Sequence, residues 1–210
     1  MMAFDVYLVS PLITDPAALR PRLEAALQVL QPASILFDVP VGDERAQINL
    51  IKVLCPMVQE TGAAMLVNTS AQVAVRGGAD GVHVSSSLLV PAMREVLKTE
   101  RIVGAGGLMS RHDAMDAGEA GADYVMFGEP REDGTVMTLS ALTDRASWWA
   151  EVFETPCVAY AASAMAVEPM ALTRAEFVAL GPWWVDDPAA AAAAVTEARA
   201  SLTLRGKQTA

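Results

Sequence analysis

The side chains able to carry nucleophilic or metal chemistry are few and far apart: Cys55, Cys157, His83 and His112 are every cysteine and histidine in the chain. Their spacing is not that of zinc ligands, and two cysteines are too few for a disulfide framework. Buried free thiols are the expectation. The other candidates are polar residues and glycines that end short apolar runs. They are Ser10, Asp38, Asn68, Thr69, His83, Ser85, Gly104 to Gly107, Gly128, Glu129, Ala161 to Ser163 and Gly181 to Asp187. Asn68 can orient a ligand amide or phosphate, or it can cap a helix expected over Thr69 to Arg76. His83 can serve a ligand, or it can point inward with its hydrogen bond satisfied. Ser85-Ser86-Ser87 can hold an anion or open a helix before Leu88. Gly104, Gly106 and Gly107 can bring backbone amides to an anion, or make a tight turn. Gly128 to Gly134 is the longest strongly polar stretch, and Glu129 and Arg131 are its candidates for a polar site. His112 lies in Ser110-Arg111-His112-Asp113, a capped first helical turn where a surface role is the simpler reading.

These positions depend on what precedes them. Eight apolar runs recur: Val6 to Ser10, Ser34 to Val39, Ala63 to Asn68, Gly81 to Val84, Arg101 to Gly104, Tyr124 to Gly128, Pro156 to Tyr160 and Phe177 to Gly181. They are continuous rather than alternating, as in parallel strands covered on both faces, and helix-like stretches separate them. The longest, Glu44 to Gln59, has Asp43 as N-cap and Gly62 as its stop, with Pro56 expected to kink or divide it. Gly77-Gly78-Ala79-Asp80-Gly81-Val82 is echoed 43 residues later by Ala120-Gly121-Ala122-Asp123-Tyr124-Val125, and more faintly by Thr173-Arg174-Ala175-Glu176-Phe177-Val178. Eight strand-helix units with this two-unit period predict a single-domain α/β fold, a closed (β/α)8 TIM barrel over residues 1–202, with an open doubly wound sheet as the alternative. Alanine-rich Pro188 to Ser201 is the expected last helix, and residues 203–210 the expected solvated tail. In such a barrel the active site lies at the carboxyl ends of the strands.

The 53% hydrophobic content exceeds the roughly 45 to 50% of typical soluble domains and excludes a disordered chain. A net charge of −10 with no basic stripe argues against nucleic acid or an anionic membrane surface as partner. The absence of a long apolar span or a signal-like start predicts a cytoplasmic location.

Leu66-Val67-Asn68-Thr69, Gly78-Ala79-Asp80-Gly81-Val82-His83-Val84, Gly121 to Gly128 and Val178-Ala179-Leu180-Gly181, taken in order, resemble the thiamine phosphate synthase and thiazole tautomerase family. That resemblance implies a (β/α)8 barrel and transfer of the hydroxymethylpyrimidine group from its diphosphate to thiazole phosphate, with Mg²⁺ assisting pyrophosphate departure. It also places several family positions on unsuitable residues. The strand-two glutamine, arginine and lysine fall on Leu36, Asp38 and Pro40. Of the two metal-binding acids, one falls on Thr69 beside Asn68 and the other on Leu88. The phosphate cradle falls on Ala161-Ala162 and Leu180-Gly181, and the tautomerase histidine falls within Gly104 to Met109, where no imidazole occurs.

The resemblance therefore implies a diverged paralogue without the Mg-pyrophosphate machinery, binding or acting on a small, possibly phosphorylated molecule. Asp38, Asn68, His83, Ser85, Gly104, Gly128, Glu129, Ala161 and Gly181 are its expected binding residues. No catalytic residue is assigned and no metal site or cofactor is expected; Mg²⁺ enters only if synthase activity is retained. One alternative is a working synthase with relocated metal ligands such as Asp38 and Glu129. The other is a non-catalytic binding or regulatory barrel whose mouth is plugged by Trp183 and Trp184, aromatic neighbours that could instead pack or support a homodimer.

Overall fold

In the computed structural model, which describes residues 4–131 and 133–208, each apolar run is a strand and each intervening stretch contains a helix. The order is β1 (Asp5–Leu12), α1 (Pro16–Leu30), β2 (Ser34–Asp38), α2 (Glu44–Gln59), β3 (Ala64–Val67), α3 (Ala71–Gly77), β4 (Gly81–Val84), α4 (Val90–Leu97) and β5 (Ile102–Ala105). Then follow α5 (Arg111–Glu119), β6 (Tyr124–Phe127), α6 (Leu139–Val152), β7 (Cys157–Ala161), α7 (Val167–Ala171), β8 (Phe177–Leu180) and α8 (Pro188–Gln208). Every strand pairs in parallel with the next, and β8 closes on β1 with Tyr7 opposite Ala179. The closed ring excludes the open sheet.

Side chains alternate across each strand, so the barrel has an outer and an inner core. Leu8, Ile35, Phe37, Met65, Val67, Val125 and their neighbours face the helices. Tyr7, Leu36, Leu66, Tyr124, Met126, Val158, Tyr160 and Ala179 fill the lumen.

The acid of the repeated motif staples strands together at the amino-terminal end of the barrel. Asp80, just before β4, accepts the Met65 N–H of β3 at 2.7 Å; Asp123, before β6, accepts the Val103 N–H of β5 at 2.7 Å; Glu176, before β8, accepts the Cys157 N–H of β7 at 2.9 Å. Gly78 and Gly121 turn the chain into each staple with φ of 90° and 92°, and Arg174 takes the same left-handed region at 67°. The two-unit period thus reflects paired strands and lies on the face opposite the expected active site.

Three expectations change. α2 runs through Pro56 undivided, because the proline sits in the last turn on the exposed side, where water can satisfy the Lys52 carbonyl it leaves unpaired. The residues expected as a tail continue α8 to Gln208, with 209 and 210 outside the described residues. Trp184 does not plug the mouth: it is fully buried in the outer core and donates its indole N–H to Val9 O at 2.8 Å. Trp183 packs against the same outer core and donates to Ala161 O at 2.9 Å. Both cysteines are buried free thiols, and His112 lies exposed on α5 behind the expected Ser110 and Asp113 capping box.

Candidate active site at the carboxyl ends of the strands

The mouth divides into two halves. On the side of β1, β2 and β3, polar groups tie the loops to one another. Ser10 accepts the Asp38 N–H at 3.0 Å. Asn68 accepts the Val39 N–H at 2.7 Å and donates its amide to the Asp38 carboxylate at 2.6 Å. Thr69 donates to Gln47 Oε1, and Gln47 donates to Pro40 O. Asn68 therefore does not cap a helix: α3 begins later, at Ala71, with Ser70 accepting the Val73 N–H as its N-cap.

On the side of β4 to β7 the floor is built from a histidine, a glutamate, Tyr124 and Tyr160, with Tyr7 reaching in from β1. Tyr7 and Tyr124 share a hydrogen bond of 2.8 Å between hydroxyls, and the Tyr124 hydroxyl is 2.9 Å from His83 Nδ1. The Tyr124 ring lies over Gly104, where a Cβ would stand 1.9 Å from Cζ, so Gly104 is covered rather than open to a ligand. Gly106 leaves room for two functional groups at once. A Cβ there would stand 1.9 Å from Glu129 Oε1 and 2.6 Å from His83 Nε2. The Gly107 N–H donates to Glu129 Oε1 at 2.5 Å, so the glycine turn is occupied by the chain's own carboxyl group.

Burial sets the protonation of this floor. It raises the Glu129 carboxyl to about 7, outweighing the hydrogen bonds from backbone N–H groups that act in the opposite direction. It lowers His83 to about 4, leaving a neutral imidazole. Burial, with the Glu129 charge adding to it, raises Tyr160 to about 12, and both Tyr7 and Tyr124 are raised as well. Beside the floor, a small cleft of about 160 Å³ opens between the loops after β5 and β6, lined by Gly107, Met109, Glu129, Arg131, Val136 and Arg145. Arg145 is committed to the carbonyls of Leu108 and Met109, and Arg131 pairs with Asp133 at 3.4 Å. Glu132 of the expected polar loop lies outside the described residues.

The remaining sequence candidates occupy the rim or the wall. Ser85 is exposed, its carbonyl close against Gly107. Gly128 turns with φ 98° into Glu129. Ala161 faces the outer core, so its methyl neither lines nor blocks the mouth; its carbonyl takes N–H groups from both Gly181 and Trp183. Sequence reasoning missed the tyrosines because each sits inside an apolar run. The available signal was their inward register, two residues apart from other lumen positions in the same strand, as with Tyr160 and Val158.

The described residues do not fit a magnesium site of the implied kind. The Asp38 carboxylate is bonded to Asn68, the Thr69 hydroxyl to Gln47, and Leu88 is 84% exposed. Asp38 and Glu129 follow strands on opposite sides of the ring, too far around it to share one ion.

The strands and helices define a (β/α)8 barrel with a polar mouth at the carboxyl ends of the strands. The thiamine monophosphate synthase family model matches residues 6–181. Curated relatives include the thiamine-phosphate synthase of Rhodospirillum centenum, 36% identical over 91% of this chain and 94% of the relative. That of Erythrobacter litoralis is 35% identical over 92% and 94%. The chain belongs to the thiamine monophosphate synthase family. Among solved structures, thiamine phosphate pyrophosphorylase from Pyrococcus furiosus superposes with a TM-score of 0.73 at 20% identity, covering 93% of this chain and 96% of that one, a likeness of fold.

Proposed function

We propose that this family member binds and acts on a small molecule at the mouth of the barrel without the metal-pyrophosphate chemistry of a thiamine phosphate synthase. One observation carries the reading: the Asp38 carboxylate, where the resemblance expects an arginine, is bonded to the Asn68 amide. A departing pyrophosphate needs cations where its charge builds. A carboxylate at that point repels it, and Leu36 and Pro40 supply no cation in its place. The Gly181 N–H, a donor expected of the phosphate cradle, is engaged by Ala161 O. A cytoplasmic location suits such a protein, and no helix among the described residues is long and apolar enough to cross a membrane.

A second reading, a working synthase, draws on the near full-length likeness to relatives named thiamine-phosphate synthase. One assay separates the two. The protein is incubated with hydroxymethylpyrimidine diphosphate, thiazole phosphate and Mg²⁺, and thiamine phosphate is measured. The expected outcome is no product above the uncatalysed background. Turnover in the ordinary enzyme range of roughly 1 to 10³ s⁻¹ would establish the synthase instead.

A further inference from the structure

The cleft between the loops after β5 and β6 holds a guanidinium that the fold leaves largely unused. The loop after β6 is a self-bonded turn. The Arg131 N–H donates to Thr135 O at 3.1 Å, the Gly134 N–H to Arg131 O at 2.8 Å, and the Thr135 N–H to Asp133 Oδ1 at 2.8 Å. That turn sets Arg131 on the wall of the cleft with its side chain only 33% exposed. Among the described residues its guanidinium has one partner, Asp133, reached by Nη2 at 3.4 Å, the long end of a hydrogen bond. Nε and Nη1 remain as donors. A second guanidinium, Arg145 of α6, lines the same space, fixed through Nη1 to the Leu108 and Met109 carbonyls.

The rest of the lining is mainly apolar. Leu108, Met109, Val136 and Met137 border the cleft, and Met109 and Val136 are more than half exposed. Glu129, the one acid lining it among the described residues, is held by the Gly107 N–H, and burial raises its carboxyl to about 7, which weakens its opposition to an anion. A volume of about 160 Å³ lies well below the roughly 300 Å³ at which drug-sized pockets begin, so the occupant is a single ring or a short chain. Its charge is limited as well, because a phosphate or pyrophosphate would be stripped of water against apolar side chains that return no hydrogen bond. We propose that this cleft binds a small apolar monocarboxylate, its carboxylate on Arg131 and its ring or chain against Met109 and Val136. A guanidinium with two free donors matches a carboxylate in strength and geometry. Every lining residue belongs to α6 or to the loops after β5 and β6, so binding here is independent of the chemistry at the ends of β2 and β3.

The test titrates the isotopically labelled protein with benzoate and follows the backbone amides of Gly107, Met109 and Val136. Saturable shifts in the low millimolar range are expected. Benzamide keeps the ring without the charge, and inorganic phosphate keeps the charge without the ring; each is expected to bind about 10-fold more weakly or worse. These comparisons in the wild-type protein need no variant to fold. Arg131→Gln is expected to weaken benzoate by about 10-fold or more, with Arg131→Lys recovering part of the loss. Arg22→Gln removes the same charge from exposed α1 and is expected to leave benzoate binding unchanged. No saturable shift in the wild type, benzamide or phosphate binding as tightly as benzoate, full affinity in Arg131→Gln, or an equal loss in Arg22→Gln would overturn the proposal. Thiamine phosphate formation in the earlier assay would overturn the reading of the mouth and leave this cleft's binding as it stands.

Discussion

Tyr124 owes its position to a side chain that is missing opposite it. Without a Cβ at Gly104 its ring lies across the lumen, where its hydroxyl meets both Tyr7 and His83. Tyr124→Phe should cost about 1 to 3 kcal/mol, because it strands two buried polar partners rather than one. Urea denaturation measures the loss, and the nitrogen shifts of His83 should move while those of exposed His112 stay fixed. At this scale the sequence was partly legible. His83 is the inward, satisfied strand histidine that its place in an apolar run suggests, and Glu129 stands out in a polar loop. Their convergence was not legible, because it depends on the absence of a Gly106 side chain between loops 22 residues apart. Asn68 shows the reverse: its type suits a cap, but the loop across from it offers Val39 and Asp38 first.

Among the elements, the strands were the most legible part because each is buried on both faces and reads as an unbroken apolar run. The Gly-Ala-Asp repeat was visible as a pattern, but its purpose required the neighbouring strand. Asp123 anchors β5 through Val103 N–H and also takes the Arg94 guanidinium, so it joins α4, β5 and β6. Asp123→Ala should therefore destabilise the barrel by about 1.5 to 3 kcal/mol, the range for a hydrogen bond to a charged group. Asp144→Ala on α6, outside any such staple, should stay within about 0.5 kcal/mol of wild type. Equilibrium denaturation of the two variants checks both values. Trp183 and Trp184 were harder to place, since adjacent aromatics after a strand fit a lumen plug and an outer-core anchor equally well. The turn at Pro182–Val185 carries them to the outer side.

The floor contains a carboxyl that folding prefers to keep protonated. Its folded pKa of about 7 lies above the usual 4.5, so its contribution to stability is complete below about 4.5 and is lost as pH rises through 7. His83, lowered to about 4, works the other way and loses its contribution as pH falls from 6.5 through 4. Glu129→Gln carries no charge at any pH. Its melting temperature relative to wild type should thus climb between pH 5 and pH 8, by about 2 to 4 °C for each kcal/mol involved. Thermal melts across that range test the sign; a difference independent of pH would contradict a buried, raised carboxyl. Family membership and the closed ring of strands give the barrel, and the proposed loss of metal-pyrophosphate chemistry turns on the residues at the ends of β2 and β3. The most direct test of the central claim is a titration of the isotopically labelled protein with Mg²⁺ and pyrophosphate, following the backbone amides of Asp38, Asn68 and Thr69. The account predicts no saturable shift at these positions into the millimolar range. Saturable, Mg²⁺-dependent shifts centred on them would contradict it.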